Sequence, residues 1–555
     1  MKRPLVLFVI GILAVAAGAL AFRLPRLALR PMHGDEANQA AKAGILFETG
    51  VYRYNPCDHH GPSLYYLTLP SWRLGSARTF VETDEFTYRI VPVLFGAALV
   101  LLLLLVADGI GRAPALVAGA LTAISPAMVF FSRYYIQEML LVFFTFAAIA
   151  CVWRYVRTKS AWWAVAAGAA VGLMHATKET WVLAAAAMAA GLALAALWTR
   201  LRDGPPVALR QFLRPWAVIE GMLAAWKWLT GLLVLRPWAV VGGLAAAVVV
   251  AAAFYSSFGA NLRGPLDSVL AYSSYWTKAG EDGLHIHPWW FYLQILIADR
   301  PCRGFFWTEG LIVGLALVGS VAALGRSALP GRRGDPLARF LVFYTVILTV
   351  LYALIPYKTP WCMLSFLHGM ILLAGVGAVA LVRWLPRAPL KAAACVVLAA
   401  AAAHLGWQAY LLSFRYYADA RNPLNYAHPT KDILNLAARM EQLARAAPEG
   451  HDMMVHVVTP ENYWPLPWYL RRFNQDHVGY WHDAGAWWED VKGLPPPAVV
   501  ILSQDVQAAV DDKLTGAYNR QSMYGLRPGV VLNVYAREDL WEAMLSGLKS
   551  GGGPP

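Results

Sequence analysis

The sequence predicts a mainly α-helical, polytopic membrane protein that carries a small α/β domain at its C-terminal end. Composition is the first reason: of 555 residues 58% are hydrophobic and only 15% charged, and the mean hydropathy is +0.46, above the usual apolar share of a soluble chain. The second is spacing. Apolar runs recur at about the 20-residue length that carries a helix across a hydrocarbon core. The third is where they stop, since beyond Leu412 an amphipathic helical stretch and short strand-like runs replace them.

Taken in order, about eleven runs meet the length criterion. They cover 4–22, 89–107, 113–131, 138–154, 161–177, 181–198, 238–257, 306–325, 338–355, 362–383 and 391–412. The opening "MKRPLVLFVIGILAVAAGALAF" has the basic start of a signal peptide, but its apolar run is long for one and reads better as an uncleaved first helix. From about Thr430, "KDILNLAARMEQLARAA" has amphipathic helical spacing, and 453–458, 498–503 and 530–537 read as strands. The expected organisation is therefore a membrane module over 1–412 with long loops at 23–88 and 258–305, an α/β domain over 413–545 and a disordered tail over 546–555. The echo of "LRPWAVIEGMLAA" from Leu213 in "LRPWAVVGGLAAA" from Leu235 suggests a short duplication, its first copy lying at the membrane interface.

Lys and Arg accumulate in loops that stay in the cytoplasm. Lys2 and Arg3, Arg154 to Lys159, the stretch Arg200 to Arg236, Arg326 to Arg333, and Arg383 to Lys391 alternate onto one side, which places the N-terminus inside. The formal charge of +13 thus reflects topology and not a nucleic-acid surface, because the basic residues form no continuous face. On the other side lie "HGDEA", "SRYYIQE", "HATKET", "HIHPWW" and "PYKTPW", together with the α/β domain. An enzyme with its chemistry there has no access to cytoplasmic nucleotide sugars, so its activated substrate would arrive in the membrane.

The first outer loop supplies His33, Asp35, Glu36, Asp58, His59 and His60. Asp35 suits two roles, cap of a helix over about 36–47 or base toward an acceptor hydroxyl or amine. The imidazoles and carboxylates would also suit a divalent metal, although their spacing matches no strict motif. Arg133, Lys178 and Lys358 each end on the outer face, where they either snorkel to the interface or share one anion. Glu138 and Glu179 could neutralise Arg133 and Lys178 instead. A phosphate held by these cations is a good leaving group, so one carboxylate would suffice for an inverting displacement. His287, Trp289 and Tyr357 lie in aromatic segments suited either to an interfacial belt or to a sugar or polyprenyl groove. Of the five cysteines, Cys57 and Cys302 both fall in outer loops, and a bridge between them stays open; no CxxC pair suggests zinc.

The motifs "HGDEA", "NPCDHHGPSLYY", "HATKET", "HPWWFYLQIL", "IPYKTPW", "RNPLNYAHPT", "WPLPWYLRR" and "YGLRPGVVLNVYAREDL" together resemble a bacterial and archaeal membrane family labelled flippase-activity-associated. That family sits in the GT-C glycosyltransferase clan, distantly related to protein O-mannosyltransferases and to the enzyme that attaches aminoarabinose to lipid A. The resemblance implies a GT-C fold and a polyprenyl-phosphate-linked sugar, hexosyl or pentosyl, as donor. It implies Asp35 as base with Glu36 in support, and it places Lys178 near the lipid phosphate, while Arg133 with Glu138 matches the clan's Arg and acid pair loosely. The acceptor, at the site of His33, Asp58, His59, His60, Glu138, His287, Trp289 and Tyr357, would be a lipid, glycan or protein. The C-terminal segment departs from the β-trefoil insert of the protein O-mannosyltransferases. The same resemblance also accommodates a non-catalytic protein that binds lipid-linked oligosaccharide.

Overall fold

The computed structural model describes residues 3–57, 60–203, 237–278, 285–325 and 336–549. Among them, eight helices are long and apolar enough to cross a membrane: Pro4–Leu29, Glu85–Ile110, Glu138–Thr158, Trp181–Arg202, Pro237–Tyr255, Pro336–Leu354, Pro360–Trp384 and Ala388–Arg415. A ninth is the pair Arg112–Ile124 and Pro126–Ser132, bent by 58°, and two shorter apolar helices are Ala161–His175 and Gly310–Leu324. Each expected run falls on one of these helices, and the chain is a multi-pass membrane protein. The first copy of the internal echo lies outside the described residues.

The bend has a local cause and a distant repair. Pro126 cannot donate to the helix ladder, which frees backbone groups that lipid cannot satisfy. The Glu309 carboxylate accepts from Ser125 Oγ at 2.6 Å and from the Ala127 N–H at 2.8 Å. On the other side of the break, Arg23 donates to the carbonyls of Thr122 and Ala123 at 2.8 and 2.9 Å and to Ser132 Oγ at 2.9 Å. The second half of the broken helix is thus held at a set angle, and it ends on Arg133. Small residues bring neighbouring helices into contact: a Cβ on Gly168 would meet Gly243 O at 1.8 Å, so the helix ending at His175 lies directly against Pro237–Tyr255.

Two helices fold the first long loop, Gly34–Thr49 and Ser63–Leu74. Phe47 stacks on Trp72 with ring centroids 4.0 Å apart, which pairs them.

The C-terminal sheet has five strands in the order β2-β1-β3-β5-β4: β1 Val455–Val458, β2 Val478–Trp481, β3 Val499–Ser503, β4 Tyr518–Arg527 and β5 Val530–Arg537. β1 pairs in parallel with β2 and β3, while β5 runs antiparallel between β3 and β4. Val499 and Ile501 point into one apolar cluster and Val500 and Leu502 into another, the alternation of a sheet covered on both faces. The three expected strands are β1, β3 and β5. β2 and β4 escape sequence reading because both are edge strands, one only four residues long and the other the polar "YNRQSMYGLR". The helix Glu538–Lys549 continues through the first residues of the expected tail, because Leu540 and Met544 bury against the sheet; 550–555 lie outside the described residues.

The sheet domain docks on the first loop. Tyr469 Oη accepts the Met32 N–H at 2.9 Å, Trp468 Nε1 donates to Glu85 Oε1 at 3.2 Å, and Arg471 donates to Thr83 O at 2.7 Å. Trp464 covers Gly34 so closely that an added Cβ there would sit 3.3 Å from the tryptophan's own.

Candidate active site

Glu36 is fully buried. Arg89 grips it with two bonds, Nε to Oε1 at 2.8 Å and Nη2 to Oε2 at 2.7 Å, while Arg30 Nη2 adds a third contact at 3.4 Å. The backbone N–H groups of Tyr135 and His33 complete the set at 2.9 and 3.1 Å. Burial alone would raise this carboxyl, but Arg89 and then Arg30 overcome it and hold Glu36 well below the usual carboxylate range. Every lone pair has a donor, so Glu36 is a structural anion. Arg89 in turn donates to the carbonyls of Leu27, Arg30 and Pro31, and this pins the strand that leads into "HGDEA".

The cap of Gly34–Thr49 is His33 and not Asp35. His33 Nδ1 accepts the Asp35 N–H at 3.0 Å, and Glu36 returns a bond to the His33 N–H, a capping box with histidine in the place of serine. Asp35 is thereby released from capping. Its carboxylate is 49% exposed, accepts no hydrogen bond among the described residues, and lies 3.8 Å from His33 Nδ1. One turn of helix therefore presents a saturated carboxylate inward and an open one outward.

The expected cations meet different fates. Arg133, nearly buried, donates to the carbonyls of Arg23, Pro25 and Arg26 at 2.5, 2.7 and 3.0 Å, and its guanidinium lies 4.4 Å over the Phe414 ring. Glu138 does not meet it, since that carboxylate pairs with Lys178. Burial would lower the Lys178 ammonium; Glu138 reverses this and raises it above the ordinary value. Lys358 is buried and donates to the carbonyls of His287 and Ile355, and burial lowers it. Glu179 pairs with His60 Nδ1 at 2.8 Å and accepts from Tyr54 Oη at 3.3 Å. Asp58 and His59 lie outside the described residues.

A wall of rings and imidazoles faces Asp35. A β-bridge between Ile286 and Tyr357 stitches "HIHPWW" to "PYKTPW", with the N–H groups of His287 and Lys358 bonded across it to Pro356 O and His285 O at 3.1 and 2.8 Å. Tyr426, from the linker before the sheet domain, inserts its hydroxyl between His285 Nδ1 at 2.7 Å and His287 Nε2 at 3.1 Å. Tyr357 is 41% exposed and Trp289 60% exposed. Burial pushes the Tyr357 hydroxyl up to about 12, with Asp35 adding to the rise and Lys178 opposing it. Tyr357 therefore lies within electrostatic reach of both the open carboxylate and the buried ammonium.

The structure thus brings together His33, Asp35, His287, Tyr357, Lys358 and, beyond Tyr357, Lys178; it sets Arg133 behind them among backbone carbonyls. Sequence reading did not find Arg89, which is counted within an apolar run, nor Arg30, Tyr426, His428 and Glu309, whose partners are remote in the chain. The "RNPLNYAHPT" motif was the signal for Tyr426 and His428. Among the described residues no three His, Cys, Asp or Glu side chains converge on a metal-sized site. Cys302 is an exposed free thiol.

Residues 65–252 match the model of the family described as dolichyl-phosphate-mannose-protein mannosyltransferase. No curated protein matches the chain by sequence. Among solved structures, ArnT from Cupriavidus metallidurans bound to undecaprenyl phosphate superposes with a TM-score of 0.58 at 16% identity, over 94% of this chain and 97% of that one. An archaeal oligosaccharyltransferase, AglB from Archaeoglobus fulgidus in complex with an inhibitory peptide and a dolichol-phosphate, gives a TM-score of 0.51 at 12% identity, over 100% of this chain and 79% of that one. The fold is the GT-C fold that the motifs led us to expect.

Proposed function

We propose that the chain is an integral membrane glycosyltransferase that moves a sugar from a polyprenyl-phosphate donor onto an extracytoplasmic acceptor, with Asp35 as the base. The observation that carries this reading is the open Asp35 carboxylate, held in place by a capping box to which it contributes only its backbone. The undecaprenyl phosphate bound to ArnT and the dolichol-phosphate bound to AglB support the donor class, and the basic loops support an outward-facing site.

In this reading Asp35 removes the proton from an acceptor hydroxyl or amine as that atom attacks the anomeric carbon. The bond to the phosphate oxygen breaks on the opposite face, and the configuration inverts. Lys178 and Lys358 supply positive charge for the departing phosphate; Lys178 has N–H donors beyond the one Glu138 takes, and a phosphate would share it. Trp289 and Tyr357 offer ring faces to a sugar or to the first isoprene units. Arg133 acts at one remove, by holding the backbone between the first helix and Gly34–Thr49. His60 pairs with Glu179, the residue after Lys178 in the chain, and so belongs to the same side of the site. The acceptor is a lipid, a glycan or a protein.

The test is sugar transfer in proteoliposomes. Asp35→Asn is expected to keep the fold and donor binding while lowering transfer by about 10²- to 10⁴-fold, the usual worth of a general base. Undiminished transfer overturns the assignment and favours a protein that binds lipid-linked sugar without reacting it.

A further inference from the structure

We propose that His33 is a tautomer lock on the base: Tyr426 holds the imidazole in its Nε2–H form, so that the Nδ1 lone pair caps the Asp35 N–H and leaves the Asp35 carboxylate open. This deepens the reading above and rests on it. His33 Nε2 lies 3.1 Å from the Tyr426 carbonyl, which can only accept, so Nε2 carries the proton. Nδ1 lies 3.0 Å from the Asp35 N–H, which can only donate, so Nδ1 must be bare. The two backbone groups leave one tautomer.

The alternatives are each harmful to a base. An Nδ1–H imidazole, or an imidazolium, loses the cap and turns a donor toward Asp35 Oδ2, 3.8 Å away. A carboxylate engaged by that donor is a poorer proton acceptor. Tyr134, Trp361 and His428 pack around the ring, their centroids 5.4, 5.7 and 5.9 Å from it.

The lock is set from outside the first loop. Tyr426 is fixed through its hydroxyl by His285 and His287, and those residues are bonded to the 356–358 segment. The charged and titratable groups facing His33 are Asp35, Glu36 and Arg30 from its own loop, Tyr134 from the turn after the broken helix, and Tyr426 and His428 from the linker. Asp35 and Glu36 favour protonation and Arg30 opposes it. Burial outweighs them and lowers His33, so the lock stays neutral at neutral pH.

The experiment compares His33→Asn with His33→Ala in reconstituted sugar transfer across pH. Asn keeps an oxygen to cap the Asp35 N–H and cannot become a cation. It is expected to retain kcat within about threefold, while Ala loses about 10- to 100-fold through misplacement of Asp35. In His33→Asn the acid limb of kcat/KM loses the step contributed by the imidazole, so the limb moves to lower pH. An acid limb identical to wild type, or Asn as impaired as Ala, overturns the lock. A readout without turnover separates it from the base assignment: the imidazole nitrogen shifts of His33, identified by difference against His33→Asn, should report the Nε2–H form at neutral pH. The Nδ1–H form or a mixture overturns the lock, whatever Asp35→Asn does to transfer.

Discussion

Asp35 and Glu36 are neighbours in the chain and opposites in the structure. On a helix they point about 100° apart, and this rotation sends Glu36 into a buried clamp with Arg89 and Arg30 and sends Asp35 to the open side with Tyr357. The difference teaches that a carboxylate's role is set by what else competes for its lone pairs. Glu36 has five donors; Asp35 has none among the described residues. A buried and satisfied acid is a scaffold, and the unsatisfied one beside it is where chemistry can occur.

The sharpest break of this comparison is to neutralise each acid in turn. Glu36→Gln leaves the Arg89 and Arg30 charges buried without an anion, and we expect it to cost about 3–5 kcal/mol of stability, seen as a lower Tm in detergent. Asp35→Asn should fall within about 0.5 kcal/mol of wild type in the same measurement, as an exposed substitution does, while abolishing most transfer. Equal stability losses for the two would erase the distinction drawn here.

Arg133→Met comes next. It removes three charge-assisted bonds to carbonyls, each worth about 1.5–3 kcal/mol gross of what relaxation recovers, and should lower stability by about 2–3 kcal/mol with donor KM unchanged. A raised donor KM at unchanged Tm would move Arg133 back to the phosphate. For the lysines the expected pattern is reversed. Lys358→Met, which strips an ammonium bonded to the carbonyls of His287 and Ile355, should raise donor KM about tenfold, or about 1.4 kcal/mol, and leave kcat little changed.

The smallest expected effect is acid sensitivity. Burial lowers His33, so its contribution to stability is complete above its ordinary value of about 6.5 and is lost as pH falls toward the lowered folded value. Glu36 follows the same sign at lower pH, its contribution present above the usual carboxylate value and lost below it. Thermal unfolding between pH 4 and 7 should therefore show Tm falling as pH drops, and His33→Asn should flatten the upper part of that fall. A Tm that rises on acidification would contradict both assignments.

Much of this was legible in advance. The runs from 89–107 and 138–154 announce their helices because hydropathy is a sum over consecutive residues, and lipid demands an unbroken apolar stretch. β3 and β5 announce themselves as short apolar runs, as strands covered on both faces do, whereas the polar edge strand β4 does not. "HGDEA" could be singled out as a site for an acid, but not which acid. Arg89 looked like one charge at the mouth of an apolar run until the fold placed it on Glu36.

The sequence by itself determined the membrane class, the helix positions and the set of motifs that carry the GT-C resemblance. All of these depend on neighbours along the chain. Only the tertiary structure decided that His33 and not Asp35 caps the helix, that Glu138 belongs to Lys178, and that Arg133 spends its charge on carbonyls. The reason is range: the Glu36 to Arg89 contact spans 53 residues and the His33 to Tyr426 contact spans 393, and no local pattern records which of several polar groups will be brought within 3 Å when the helices close.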